Sequence, residues 1–159
     1  MVTERHLIQA FAEAIAHEEG WYIQRRMPTV AQRLNNPCCL PHWKDELGMP
    51  YEEVNGFVEF PNADKGWRAA RAQCRINIFK RRLTFREFFA GRHGLYKGFW
   101  PADDFRLDMD ARKSDPVQYA RRVLSRVAPA LGIDLAHLTV DTPIHTLVIP
   151  DARSRPLAA

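Results

Sequence analysis

Residues 3–22, TERHLIQAFAEAIAHEEGWY, constrain the fold more than any other stretch. Leu7, Ile8, Phe11, Ala14 and Ile15 recur at helical spacing, Thr3 stands where a cap belongs, and Gly20 is a natural stop. The spacing predicts a helix from about residue 4 to about residue 19, with an apolar face that the rest of the chain must cover. That face ends abruptly in Glu18 and Glu19, then Gly20, then the aromatic pair Trp21 and Tyr22. On a helical wheel Glu18 falls in the middle of the Phe11/Ile15 face and Glu19 at its edge. A carboxyl pressed against apolar surface is harder to ionise than one in water, so a glutamic acid there can keep a proton and donate it. Trp21 and Tyr22 are the walls expected for such a group. The plain alternative is an ion pair with Arg25, Arg26 or Arg33.

After this helix the sequence predicts irregular backbone up to the turn at residues 35–37, NNP. CCLPHW at 38–43 and GFVEFP at 56–61 are short β-prone runs, and the expected pairing is an irregular hairpin between them. Asn62 then caps a helix with Trp67, Ala70, Cys74 and Ile78 on one face and Arg68, Arg71, Arg75 and Lys80 in water. TFRE at 84–87 has capping-box spacing and opens a short helix through Phe88 and Phe89 to Gly91. A glycine-punctuated loop carrying Tyr96, Phe99 and Trp100 follows. Asp115-Pro116 starts a last long helix, buried through Val117, Ala120, Val123 or Leu124, Val127 and Leu131, and Gly132 ends it. A helical turn at DLAHL and an apolar run, IHTLVIP, complete the domain. The expected class is mainly α (α+β), a helical domain with a small β-hairpin after the first helix. The expected boundaries are one domain over 1–150 and a flexible C-terminal tail over 151–159.

Length and composition narrow the function classes. A chain of 159 residues with 46% hydrophobic content suits one core, and no stretch approaches a membrane span. The charged, amphipathic N-terminus lacks a secretory h-region, so synthesis in the cytoplasm without a signal peptide is expected. Three cysteines, two of them adjacent, cannot build a paired disulfide framework. Cys38, Cys39, His42 and Cys74 lack the paired spacing of structural zinc, so no metal and no cofactor is expected. A net charge of +4 suits anionic wall polymers or nucleic acid as partners.

Read in order, EGWY, AQRLNNP, GFVEFPNADKGWRAA, LTFREF and DPVQYARRVLSRVAPALGI resemble a family of phage and bacterial lysozyme-like domains. The resemblance spans residues 10 to 135. It implies a lysozyme-like fold in which the glutamate before the glycine, Glu19, faces a groove bordered by the hairpin; Glu18 is the second choice. The implied substrate is peptidoglycan and the implied reaction is cleavage of the β-1,4 bond between N-acetylmuramic acid and N-acetylglucosamine. Glu19 would be the general acid, with the second group a carboxylate of the hairpin region (Asp45, Glu46, Glu52, Glu53 or Glu59), a water, or the substrate's own N-acetyl group. A single-glutamate lytic transglycosylase is the version that needs no second carboxylate. Trp21 and Tyr22, with Asn35 and Asn36, whose amides both donate and accept, are the expected substrate contacts, plain turn formation before Pro37 being the alternative for the asparagines. QYARRVL resembles the helix that closes the cleft in lytic transglycosylases, which puts Tyr119 near the glutamate, an ordinary half-buried aromatic being the alternative. The chain departs from the family where Cys38 and Cys39 replace glycine and asparagine, which removes a flexible backbone position and a polar contact. Delivery to the wall or periplasm would fall to a phage virion or a secretion machine. The alternative function is a non-catalytic virion or mobile-element structural protein, and a nucleic-acid-binding helical domain ranks third.

Overall fold

The computed structural model describes residues 1–98 and 115–149. Phe99, Trp100 and the tail expected over 151–159 lie outside the described residues. The chain is mainly helical with one two-stranded antiparallel hairpin. It divides into two compact units, Phe11–Arg75 and Met1–Ala10 with Ile76–Ala159. No described helix is long and apolar enough to cross a membrane.

Helix α1 (Glu4–Glu18) forms where its periodicity places it, and Leu7, Ile8, Phe11, Ala12, Ala14, Ile15 and Ala16 are buried along it. In the unit Phe11–Arg75 it is followed by a single-turn helix, α2 (Val30–Arg33). The sequence predicts only irregular backbone there. Thr29 accepts from the Gln32 amide while the Gln32 side chain accepts from the Thr29 amide, so a complete capping box holds a helix too short to show a period.

The hairpin differs from the expected pairing. β1 (Glu53–Val54) pairs with β2 (Phe57–Val58) in the register Glu53 to Val58 and Val54 to Phe57. Asn55 and Gly56 make the two-residue turn, with φ of 51° and 85°, the positive values that a hairpin turn of this length requires. CCLPHW is not a strand. Cys39 is left-handed at φ 50° and Pro41 has no N–H, so the run cannot keep a pleated ladder. It still lies alongside β2, since Val58 N–H donates to Leu40 O at 2.9 Å. Leu40, Val58, Phe60 and Ala69 form a small apolar core against which Trp43 and Tyr51 pack. Val58 is buried and Glu59 exposed, so the alternation along GFVEFP turns the Glu59 carboxyl to water.

Asn62 caps α3 (Ala63–Arg75) by accepting from the Lys65 amide at 2.9 Å. Gly66, Ala69, Ala70 and Cys74 are buried along it, while Trp67 is only half-buried. The helix continues as a π-helical turn, Ile76–Lys80, which the sequence does not signal.

In the other unit, Thr84 and Glu87 cap α4 (Phe85–Ala90) as TFRE predicts. Asp115 caps α5 (Pro116–Leu131), and left-handed Gly132 closes it. Phe85, Phe88 and Phe89 of α4 and Tyr119, Ala120, Val123, Leu124 and Val127 of α5 are buried. Each large side chain so enclosed contributes about 1.5–3 kcal/mol. Leu135–His137 is a 3-10 turn where DLAHL predicts a helical turn, and the apolar run IHTLVIP holds a second one, Ile144–Leu147, that the sequence does not signal. Ile144 donates its N–H to Leu83 O, and Arg86 N–H donates to Val140 O, which stitches the last segment to the start of α4.

Glu87 does two jobs. It closes the cap by accepting from Thr84 N–H at 3.1 Å and it receives the Arg92 guanidinium, which also donates to Arg81 O and Arg82 O. Arg92 above all, with Thr84, holds the Glu87 carboxyl down at about 2, against an opposing effect of burial. A carboxyl depressed on folding stabilises the fold above its ordinary value of 4.5, and that contribution disappears as pH falls towards 2. Urea titrations from pH 5 to pH 2 should therefore show an acid-induced loss of stability that is shallower in Glu87→Gln; an equal slope in the two proteins would refute the assignment.

Candidate functional site

The end of α1 is built from the backbone outward. Glu19 N–H still donates to Ile15 O and Trp21 N–H reaches back to Ala16 O, while Gly20 turns left-handed at φ 82°. The segment after the turn is latched to α2. Thr29 Oγ1 donates to Gly20 O at 3.1 Å, and Gln32 Nε2 donates to Trp21 O at 2.9 Å and to Ile23 O at 2.7 Å. The residues that cap α2 thus also satisfy the carbonyls left open where α1 stops.

This geometry reverses the helical-wheel order of the two glutamates. Glu19 is buried at 9% exposure and Glu18 only half-buried. The wheel extends helical angles past residue 18, whereas the helix ends there and the turn at Gly20 re-aims its neighbour. His17 is exposed, with its ring 4.2 Å from that of Tyr22, which is itself 46% exposed. Trp21 is half-buried and meets Trp67 edge-on at 5.8 Å.

One thiol, Cys38, belongs to the surroundings of Glu19, and Cys74 lies near that thiol. Burial pushes the Cys38 thiol well up, and Cys74, Glu19 and Cys39 add to that rise through their charges. Burial alone lifts Cys74 to about 12. Both therefore stay protonated at neutral pH, which leaves them poor nucleophiles and poor metal ligands. Cys38 Sγ donates instead to Ala12 O at 3.4 Å. His42 of the imagined zinc set bonds Glu53. Among the described residues no group of three or more His, Cys, Asp or Glu is arranged to hold a metal ion.

The two asparagines expected as sugar contacts serve the fold. Asn36 is 1% exposed; its Nδ2 donates to Leu40 O at 2.9 Å and Val58 O at 3.0 Å, and its Oδ1 accepts from Leu40 N–H at 2.9 Å. Asn35, left-handed at φ 51°, donates to Phe60 O at 3.1 Å and is half-buried. Its carbonyl meets α3 so closely that a Cβ on Gly66 would lie 1.8 Å from Asn35 O. Tyr119 has no exposed surface: its ring packs 4.7 Å from Phe89, with the Arg122 guanidinium 5.5 Å from its centre. Neither Asn36 nor Tyr119 offers a surface to a ligand in this geometry.

The structure thus gathers Glu18, Glu19, Trp21, Tyr22, Asn35 and Asn36 in one unit and assigns Tyr119 to the other. Thr29 and Gln32 are the positioning residues that sequence reading passes over, although T-x-x-Q is the same capping signal recognised in TFRE. Compared with family models, characterised proteins and solved structures, the chain matches none.

Two substitutions probe the scaffold beneath the site. Asn36→Ala strands the Val58 carbonyl and the Leu40 N–H and takes one of two donors from the Leu40 carbonyl, and should cost on the order of 3 kcal/mol in chemical denaturation. Gly66→Ala forces a backbone clash with Asn35 and should cost a similar amount, roughly 3 kcal/mol. A loss under about 1 kcal/mol in both would show that the loop is not held in this way.

Proposed function

We propose that the chain is a peptidoglycan-cleaving enzyme of lysozyme-like fold, acting on the β-1,4 bond between N-acetylmuramic acid and N-acetylglucosamine with Glu19 as its proton donor. The observation that carries the reading is that Glu19 is the only buried acidic side chain among the described residues. Its place after the last turn of α1, directly before Gly20, is the place the lysozyme-like resemblance gives to the catalytic acid.

One enclosed carboxyl favours the lytic transglycosylase version. Glu19 gives its proton to the glycosidic oxygen as the bond to the muramic C1 breaks, so the N-acetylglucosamine side leaves as an alcohol. The carboxylate so formed then takes the proton of the muramic 6-hydroxyl as that oxygen closes on C1, giving a 1,6-anhydro end and restoring the acid. No water enters, and no second carboxylate is required. The hairpin supplies no obvious partner: Glu59 is exposed, Glu53 bonds His42, and one Asp45 oxygen accepts from the Leu47 and Met49 amides. Action at the wall, after delivery by a virion or a secretion machine, belongs to the same proposal.

A second reading, a non-catalytic virion or mobile-element component of the same fold, is favoured by the enclosed Asn36 and Tyr119, which leave fewer groups for a sugar. Purified peptidoglycan separates the two. The wild type should release muropeptides lighter by one water than hydrolytic products, and Glu19→Gln should lower the rate by at least about a hundredfold while melting at the same temperature. Products with free reducing ends would indicate hydrolysis, and no release from the wild type would move the assignment to the structural reading.

A further inference from the structure

A cleft lies in the unit Phe11–Arg75, and none of its lining residues is among the candidate residues around Glu19. It encloses about 170 Å³ between the 43–51 segment and α3, with Trp43 and Tyr51 as aromatic walls. That is close to the size of a cavity that takes one six-membered ring, and well below a drug-sized pocket. Lys65, Arg68, Ala69 and Ala72 fall at helical spacing on one face of α3. The two alanines leave the room, and the two basic residues form its edge.

The aromatic walls are held in advance of any ligand. Tyr51 N–H donates to Trp43 O at 3.0 Å, and the Tyr51 ring sits 5.1 Å from Phe60. Both rings pack on the Leu40, Val58, Phe60 and Ala69 core. Lys44 and Pro50 form a bridge, and Asp45 accepts from the amides of Leu47 and Met49, so the connecting turn is fixed as well.

The edge carries both signs: Lys44, Lys65 and Arg68 against Asp45 and Glu46. Arg68 lies 3.5 Å from Asp64 on its own helix, so its charge is partly answered already. A simple anion would face two carboxylates, and a purely apolar ring would strip water from five charged groups. A pyranose avoids both penalties, because its C–H face lies flat on an aromatic ring while its hydroxyls donate to carboxylates and accept from ammonium and guanidinium groups. We infer that the Trp43–Tyr51 cleft is a binding site for a single neutral pyranose unit of a glycan, separate from the Glu19 site. It does not depend on Glu19 acting as a catalyst.

The test uses the full chain carrying Glu19→Gln, titrated with the trisaccharide of N-acetylglucosamine by calorimetry and by the indole N–H signals in NMR. Saturable binding is expected, with the Trp43 indole signal moving. Trp43→Ala should weaken binding by at least about tenfold. Because Trp43 also packs on the core, Ala72→Leu provides a second variant, which fills the cleft from the helix side; it should abolish binding while the circular dichroism spectrum stays unchanged. No binding, binding that survives both substitutions, or displacement of the sugar by inorganic phosphate would each overturn the inference. The wild type separates this result from the active-site reading: sugar binding without cleavage of peptidoglycan would sink the enzymatic proposal and leave the cleft standing.

Discussion

The unit Phe11–Arg75 depends on one buried amide. Asn36 answers the carbonyl and N–H of Leu40 in its own loop and the carbonyl of Val58 on β2. A carboxamide both donates and accepts at this length; an aspartate would have no hydrogens to give, and a leucine would leave the Val58 carbonyl and the Leu40 N–H unpaired. A two-stranded hairpin is at best marginally stable alone. Here it is held because β2 is joined through Asn36 to the 36–40 loop, and that loop is joined through Cys38 to the Ala12 carbonyl of α1. Asn35 extends the connection to Phe60 and, by the close approach of its carbonyl to Gly66, to α3.

That scaffold decides what surrounds Glu19. The loop brings Cys38 against α1, and this thiol, like that of Cys74 on α3, is neutral near pH 7 because burial disfavours the thiolate. In the other unit Arg92 holds the Glu87 carboxyl well below its ordinary range. The contrast between these two glutamates is instructive. Glu87 is a half-buried structural acid tied to a guanidinium and a helix cap, whereas Glu19 is buried beside neutral sulfur.

Most helices are legible in the sequence because their signals are local. The period along α1, the Asn62, Thr84 and Asp115 caps and the Gly132 stop each need only neighbours within a few residues. What sequence reading loses falls into three physical kinds. Single-turn α2 has no period to detect, and only its cap announces it. The hairpin follows the Asn55-Gly56 turn, a sharper determinant of pairing than the β-propensity of residues 38–43. The burial of Asn36 depends on Val58, 22 positions away, so a residue that reads as turn-forming becomes part of a core. The order of Glu18 and Glu19 fails for a related reason: a wheel describes a helix, and Glu19 lies beyond its last residue.

The same unit separates groups that hold the chain from groups that face outward, and this separation makes its chemistry open to dissection. A small unit buries too little apolar surface to rely on packing alone, so directional bonds from Thr29, Gln32, Asn35 and Asn36 fix its turns. Those bonds are cooperative, and a half-satisfied network is worse than none, so scaffold substitutions fail through folding. Ala72 carries only a methyl group on α3 and takes no part in those directional bonds. Loss of function at Glu19 or Ala72 with an intact melting transition would report on chemistry or binding, whereas loss at Asn36 or Gly66 reports on the frame.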